Sequence, residues 1–339
     1  MVLPNSFSKS LQNLPEMLNG FVKWSVGVAF WDFNSDNKID AMVGNFLAFD
    51  PAYVSPTTPD MMPHPSEYKG QASMLYQQQS DGRFIDVTKK YELYFPDSKC
   101  MGLTIYDYDN DGDLDIFQGN DHQLNFLFRN DNLRFIDVAV PSGVAANSRG
   151  VPTGSMHGSI GDIDNDGLID LFVTDLRYGA LYRNIGNGLF EDITEKSGVA
   201  GTFAGKGAWA AALFDYDNDG DLDIIVSHID LQATATLLRN DLANSNHWLG
   251  LKLIGKNGPA SAIGARIIVK IGNKNRVYIN QWATSYLSNH DSRVHIGLGQ
   301  DKHIDQIEIF WSNGRKETYN NPPIDRYLTI KQGTGILPE

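Results

Sequence analysis

The chain of 339 residues has a single cysteine, Cys100, and no apolar run of 18 residues that could cross a membrane. One cysteine excludes an internal disulfide, so another kind of cross-link has to stabilise the fold. Basic residues are also few, because 28 Lys and Arg stand against 41 Asp and Glu and give a formal net charge of −13. This balance argues against nucleic acid or an anionic membrane surface as a partner.

Several catalytic motifs are missing as well. The sequence has no Gly-x-Ser-x-Gly elbow, no His-Glu-x-x-His, no phosphate-binding glycine loop and no cysteine cluster. A serine hydrolase, a zinc protease or a nucleotide-binding enzyme is therefore not indicated.

An acidic nine-residue loop is present four times, starting at Asp32, Asp107, Asp162 and Asp215. The last three copies follow the pattern Asp-x-Asp-Asn-Asp-Gly-x-x-Asp. Oxygens at positions 1, 3, 5 and 9, with a carbonyl at position 7, are the hard ligands that Ca²⁺ prefers. The Gly at position 6 permits a sharp turn. We therefore predict three to four calcium sites.

The predicted calcium ligands are Asp32, Asn34, Asp36, Lys38, Asp40, Asp107, Asp109, Asp111, Asp113, Asp115, Asp162, Asp164, Asp166, Leu168, Asp170, Asp215, Asp217, Asp219, Asp221 and Asp223, with Lys38, Asp113, Leu168 and Asp221 acting through their backbone carbonyls. The first loop departs from the pattern, since Asn37 replaces Gly and Lys38 lies beside the ligands. We expect this site to be the weakest or empty.

An EF-hand would start with the same residues but needs a Glu at position 12 and flanking helices. Here position 12 is Val43, Gln118, Val173 or Val226. The flanking segments are short, apolar and rich in β-branched and aromatic residues, as in Gly27–Trp31. The pattern therefore predicts a strand on each side of the loop.

A second pattern recurs in phase with the loops, which are 75, 55 and 53 residues apart. It reads Leu-Tyr-Arg-Asn at Leu181–Asn184, and related copies start at Leu75, Leu127 and Leu237. The copies at Leu75, Leu127 and Leu181 are each followed by Phe-x-Asp-Val or a close variant. A unit of roughly 50 residues suits one four-stranded propeller blade. We predict an all-β fold, a calcium-binding β-propeller with four recognisable blades and five to seven in total, the extra strands coming from the termini.

These motifs resemble the FG-GAP or VCBS repeats of integrin alpha-chain propellers. The later segments Asn246–Leu249, Ala262–Arg266 and His295–Gly299 resemble the ASPIC/UnbV module. The combination is similar to the bacterial relatives of cartilage acidic protein. The resemblance implies a calcium-loaded propeller with an appended β module, extracellular or periplasmic, and implies no reaction. Since Met1–Ser10 show no signal peptide, a cytoplasmic location stays open.

The expected organisation has three parts: a lead-in over 1–20, propeller repeats over 21–245 and an ASPIC/UnbV-like β module over 246–335. A proline-rich insertion over 46–74 explains the long first interval and is expected to form an ordered cap.

Residues at the strand ends opposite the calcium loops form a candidate ligand face. They are His122, His157, His228, Asp121, Asp175 and Asp230 as acid/base candidates, and Trp24, Asp50, Arg177 and Trp209 as ligand-binding candidates. Each has an alternative interpretation. The Asp residues could cap turns, the His residues could be packed and neutral, and the Trp residues could belong to the core.

The leading hypothesis is a calcium-stabilised scaffold that binds a macromolecule or a glycan through this face. The alternative is a calcium-dependent enzyme, a cofactor-independent cyclase, isomerase or lyase, with a His/Asp pocket on the axis. A third possibility is a non-closing piece of a larger propeller, whose exposed blade edges would cause aggregation.

Overall fold

The computed structural model describes residues 22–176, 179–203, 205–230, 232–242, 245–256, 258–282, 285–286 and 288–338. The predicted lead-in over 1–20 lies outside this part of the chain. The described residues form an all-β structure, as the sequence predicts. None of its helices has the length and apolar character needed to cross a membrane.

The acidic loops each connect the first two strands of an antiparallel sheet. The first sheet contains β1 Val22–Trp31, β2 Asp40–Phe49, β3 Met74–Gln78 and β4 Phe84–Asp86, and the second contains β5 Cys100–Tyr106, β6 Asp115–Gln123, β7 Phe126–Asn130 and β8 Phe135–Asp137. The third contains β9 Thr153–Gly161, β10 Asp170–Asp175, β11 Ala180–Gly186 and β12 Leu189–Asp192, and the fourth contains β13 Ala208–Phe214, β14 Asp223–His228 and β15 Thr236–Leu238. The end of β6 also pairs with the start of β9, which joins the second and third sheets edge to edge. A one-turn helix Ala139–Ser142 and two 3₁₀ turns, Pro65–Glu67 and Val199–Phe203, are the helical elements among the described residues.

Neighbouring sheets pack face to face, and β1, β5, β9 and β13 lie side by side. The fully buried ring of Phe117 on β6 contacts the third sheet, where a Cβ on Gly158 would lie 2.8 Å from it. Cys100 likewise packs against Gly44 of the first sheet, and burial raises the pKa of its thiol to about 12. The second and third sheets therefore bury both faces of their inner strands, as propeller blades do. The first sheet exposes Val28 and Phe30, and the fourth exposes Ile225 and Leu237.

The C-terminal strands form two further sheets. They are β16 His247–Ile254, β17 Arg266–Ile271, β18 Lys274–Ile279, β19 Arg293–Gly299, β20 Gln306–Phe310, β21 Lys316–Asn320, β22 Tyr327–Lys331 and β23 Gly335–Ile336, in the orders β19-β16-β22-β23 and β18-β17-β20-β21. Alternate residues of β17 are buried, so this strand packs one of its faces on the core. Because these strands pair with one another, none of the described ones extends a repeat sheet. The total of five to seven blades stays a prediction.

The segment between β18 and β19 lies against the first strands of the repeat sheets. The Ser285 N–H donates to the Leu103 carbonyl at 2.9 Å, and Gln281 donates to the Ile105 carbonyl at 2.6 Å. The Ser285 hydroxyl accepts from the Gly158 N–H at 2.8 Å. The C-terminal module thus covers the inner strands β5 and β9.

The proline-rich insertion is shorter than the sequence suggests. Strand β2 continues through Phe46 and Leu47 to Phe49, because both of these side chains are buried in a cluster with Tyr68, Met101 and Met156. The insertion therefore starts after β2.

Candidate metal centres

In loops two to four, the structure brings the carboxylates at positions 1, 3 and 9 together. The three groups are Asp107, Asp109 and Asp115, then Asp162, Asp164 and Asp170, then Asp215, Asp217 and Asp223. Within each group the candidate ligand oxygens lie within 4.8 Å of one another. Such a cluster of oxygen donors fits a calcium ion.

The position-1 carboxylate lies at the centre of the turn. In the second loop, the two oxygens of Asp107 accept the N–H groups of Asp111 and Gly112, both at 3.1 Å. Asn110 and Gly112 take left-handed φ values of 59° and 97°. Asp162 and Asp215 make the same contacts in their loops. The Asn-x-Gly part of the motif is therefore needed for the backbone to wrap around this carboxylate.

The position-9 carboxylate joins the loop to the third strand of its sheet. Asp115 accepts the Tyr108 N–H at 3.0 Å and the Asn130 N–H at 2.8 Å. Asp170 and Asp223 repeat this pattern with Asn184 and Asn240. This contact explains why the Leu-Tyr-Arg-Asn signature recurs in phase with the loops. Each carboxylate oxygen keeps a second lone pair that a cation can use.

The position-5 residues, also predicted as ligands, lie outside these three groups. One oxygen of Asp111, Asp166 and Asp219 accepts the N–H two residues ahead at 2.8, 2.9 and 3.0 Å. This local hydrogen bond is the Asx turn typical of aspartate in loops. Their role as ligands, like that of the position-7 carbonyls, stays a prediction.

The first loop has the same turn but a different charge balance. Asp32 accepts the N–H groups of Asp36 and Asn37 at 3.0 and 2.7 Å, and Asn37 takes a φ of 63° in place of Gly. The Lys38 ammonium lies 3.0 Å from Asp36. Partial burial opposes ionisation of Asp36, but the contacts from Lys38 outweigh it and lower the pKa. A cation from the chain itself thus already neutralises part of this loop.

Burial, together with repulsion between neighbouring aspartates, raises the pKa of several loop carboxyls. Burial, followed by the charges of Asp111 and Asp109, raises the pKa of Asp107 to about 7. Burial and neighbouring aspartates also hold the pKa values of Asp162 and Asp170 well above the ordinary 3.8. These loops therefore need a positive charge to keep their carboxylates ionised at neutral pH.

Arginines supply part of that charge. In the third repeat the Arg183 guanidinium lies 2.6 Å from Asp164 and 3.2 Å from Asp166. The C-terminal module contributes three more arginines. The sequence pattern does not connect them with the loops, because they lie far from the loops in sequence.

Each of these arginines reaches a different loop. Arg266 donates to the Gly112 carbonyl at 3.1 Å, and Arg293 donates to the Asp215 carbonyl at 2.8 Å. The Arg276 guanidinium fills the space that a side chain at Gly167 would need. The Arg266 position could have been noticed, since it closes one of the module motifs.

The loops also contact one another through their position-4 residues. Asn110 donates to the Gly167 carbonyl of the next loop at 3.3 Å, and Asn165 donates to the Gly220 carbonyl at 3.0 Å. Asn218 of the last loop instead accepts from Arg293 at 2.6 Å. Loops two to four and the C-terminal module thus form one continuous network.

Two of the candidate histidines on the opposite face, His157 and His228, make separate contacts. His157 is buried, contacts Ser159 at 2.8 Å and lies beside the backbone of Tyr286, and burial lowers its pKa to about 3. His228 contacts Thr236 within the fourth sheet at 2.8 Å. The C-terminal segment thus covers His157, whose ring also stacks on that of His290.

Part of the predicted set does converge. A Cβ on Gly154 would lie 3.2 Å from Asp121, 3.7 Å from Asp175 and 3.9 Å from His122. The ring of His64, from the insertion, lies 5.2 Å from that of His122. Of the six acid/base candidates, Asp121, His122 and Asp175 are therefore neighbours.

The remaining candidates have structural roles or lie outside the described part. Asp50 and Asp230 each accept the N–H two residues ahead at 2.9 Å, as the turn-capping alternative predicts. Trp24 packs edge-on against Phe46 and Phe49, and Trp209 packs against Tyr286. Arg177 is not among the described residues.

The metal-free protein should lose stability as the pH rises. The pKa of Asp107 is about 7 and those of Asp40 and Asp221 are about 6 in the folded state, against about 3.9 in an unfolded chain. The folded state therefore binds more protons between about pH 4 and 7, and this contribution is lost as the pH increases through that window. Urea unfolding in EDTA should give a smaller free energy of unfolding at pH 8 than at pH 5. A flat or rising profile contradicts this prediction.

Comparison with known proteins agrees with this geometry. A model of FG-GAP-like repeats matches residues 107–173 and 162–226, and the ASPIC and UnbV model matches residues 255–336. The chain is a propeller-like protein of FG-GAP repeats followed by an ASPIC/UnbV domain.

Its curated relatives include cartilage acidic protein 1, as the sequence resemblance suggests. The Homo sapiens protein is 27% identical over 266 residues, which cover 73% of this chain and 38% of the relative. The Mus musculus protein is 26% identical over 260 residues, with 72% and 38% covered. The chain thus spans about two fifths of the length of these relatives.

Likeness to solved structures is weaker. Rhamnogalacturonan lyase YesW has a TM-score of 0.36 and 14% identity, covering 88% of this chain and 64% of that one. An Agrocybe aegerita lectin that recognises non-reducing terminal N-acetylglucosamine has a TM-score of 0.35 and 14% identity, covering 90% and 80%. At these scores neither structure informs the function.

Proposed function

We propose that this protein is a calcium-stabilised scaffold that binds a protein partner through the face opposite its acidic loops. The observation that carries the calcium part is the convergence of three aspartates in each of three loops. A calcium ion enclosed by such oxygens acts mainly as a structural cross-link. It would take the place of the disulfides that a chain with one cysteine cannot form.

The carboxylates fit this ion in their chemistry. Positions 1, 3 and 9 would hold the ion in loops two to four, and a bound cation would oppose the rise in the pKa of Asp107 that burial and the neighbouring aspartates cause. Arg183 neutralises only part of the third loop, through Asp164 and Asp166. We infer an extracellular or periplasmic location, because modules outside the cell work with calcium sites of modest affinity.

The partner surface is inferred from exposed apolar side chains in the proline-rich insertion. Met61 and Met62 are 71% and 68% exposed, and Val54 and Tyr53 are also exposed. Met61 and Met62 are the most exposed large apolar side chains among the described residues, and methionine and tyrosine suit protein interfaces. The insertion itself is anchored, since Tyr68 is buried against Phe49. An ordered segment that displays apolar side chains favours a protein over a glycan.

Calcium should stabilise the protein through loops two to four. Thermal unfolding should show a rise in Tm with calcium, since each site at 100 times its Kd adds about 2.7 kcal/mol. Asp109→Asn, Asp164→Asn and Asp217→Asn should each reduce that rise, because each removes one charged ligand. Asp81→Asn, an exposed change outside the loops, should not. Equal rises in all four variants would contradict the calcium part of the proposal.

Binding of a partner should depend on the insertion. Replacing both Met61 and Met62 by Asp should weaken binding of a partner protein, first identified by cross-linking, at least tenfold, because charges would enter an apolar contact. The Tm should stay unchanged, since both side chains are exposed. Ile85→Asp, on the outer strand β4, introduces a similar charge elsewhere and should keep binding intact. Pull-down with the purified partner measures binding by the double variant and by the Ile85→Asp control. Binding retained by the double variant would rule out this surface.

A further inference from the structure

Within the described residues, the first and the last repeat sheet each have a neighbouring repeat sheet on one side only. Strand β1 contacts β5, β5 contacts β9 and β9 contacts β13, so the first sheet has no described repeat sheet before it and the fourth has none after it. One face of each end sheet therefore differs in its surroundings from the equivalent face of the other sheets. The repeats themselves show what normally covers such a face.

The face directed towards the following sheet is built in the same way in every repeat. It contains the residue ten positions after the start of the acidic loop, paired across the strands with the signature leucine. The pairs are Met42 with Leu75, Phe117 with Leu127, Phe172 with Leu181, and Ile225 with Leu237. No side chain of the first three pairs is more than 3% exposed, whereas Ile225 is 37% and Leu237 is 46% exposed. The fourth sheet thus leaves uncovered the face that the other three sheets bury.

The face directed towards the preceding sheet also repeats. It contains the residues two and four positions before the acidic loop. The buried clusters contain Met42 and Leu75 with Leu103 and Ile105 at the first junction, and Phe172 and Leu181 with Ala211 and Leu213 at the third. In the first sheet the corresponding residues are Val28 and Phe30, which are 52% and 59% exposed. The first sheet therefore leaves uncovered the opposite half of the same contact.

The two uncovered faces match each other position by position. At the second junction the ring of Phe117 lies against Gly158, where an added Cβ would be 2.8 Å away. Ile225 stands at the position of Phe117 in its repeat, and Val28 stands at the position of Gly158. The two faces are thus the halves of a contact that the chain already forms between its own neighbouring sheets. Joining them buries apolar surface and no charged side chain from either pair, so their association is favourable.

We propose that the fourth sheet of one copy of this chain packs on the first sheet of a second copy. Ile225 and Leu237 of one copy contact Val28 and Phe30 of the other, in the arrangement that joins neighbouring sheets within the chain. Because the contact joins unlike faces, two copies cover all their end faces only if they close on each other. A closed pair holds eight repeat sheets, within the range of four to eight blades typical of propellers.

This surface is separate from the partner surface on the insertion. Met61 and Met62 belong to the segment after β2, whereas the contact between copies uses β1, β14 and β15. The inference therefore stands whether or not the insertion binds a protein partner.

The first experiment measures the oligomeric state of the purified chain in calcium buffer by size-exclusion chromatography with light scattering. The chain should be a dimer at micromolar concentration. Phe30→Lys and Leu237→Lys should each raise the Kd of the dimer at least tenfold, because each places an ammonium group in an apolar contact. Ile185→Lys makes the same change at a 50% exposed residue of the third sheet and should leave the Kd unchanged.

Thermal unfolding of the three variants confirms that they are folded. A wild-type chain that stays monomeric throughout the micromolar range overturns the proposal, and so does equal weakening by Ile185→Lys. Larger oligomers that both end-sheet variants dissociate support the same contact, continued from copy to copy without closure.

The second experiment distinguishes contact between unlike faces from contact between like faces. Phe30→Lys keeps the fourth sheet intact and Leu237→Lys keeps the first sheet intact, so an equal mixture of the two variants retains one native contact. Native mass spectrometry of variants with tags of different mass should show a heterodimer that neither variant matches with a dimer of its own. A Leu237→Lys variant that dimerises as well as the wild type, or a mixture that stays monomeric, contradicts the proposal.

Discussion

Three carboxylates held within 4.8 Å of one another repel strongly. They lie in the loops that hydrogen-bond to the third strand of each sheet, to the next loop and to the C-terminal module. The position-9 aspartates join each loop to the third strand of its sheet, as Asp115 does with Asn130. The position-4 asparagines join one loop to the next, as Asn110 does with the Gly167 carbonyl. Whatever neutralises the carboxylates therefore also sets the geometry between repeats.

The C-terminal module belongs to the same network. Arg266 and Arg293 donate to loop carbonyls, and the segment around Ser285 lies on the inner strands. One hydrophobic cluster runs from Phe117 and Leu171 of the repeats into Leu251 and Ile309 of the module. The module thus packs as part of the core, and a change at the loops should affect the packing of both the repeat sheets and the module.

Local pattern was sufficient for much of this structure. The strands, the loops and their repetition depend on residues close in sequence, and the Asn-x-Gly turn around Asp107 is an example. The ligand role of Asp111 was less predictable, because a local Asx turn competes for its oxygen.

Contacts between distant segments could not be read from the pattern. His157 was expected to line an axial pocket, but the backbone of Tyr286, 129 residues later, covers it. The contact of Arg266 with the Gly112 carbonyl likewise depends on the position of the C-terminal module relative to the second loop. Periodicity places a residue on a face of its own strand and does not show what packs on that face.

We propose that calcium, bound at loops two to four, holds the repeats together. Native mass spectrometry of the intact chain in calcium is the decisive experiment, because the mass reports how many ions each molecule retains. Three tightly held ions per chain, lost together on chelation with an expansion of the charge-state distribution, are the predicted result. A chain that retains no calcium, or keeps the same compact charge states with and without it, would contradict this view.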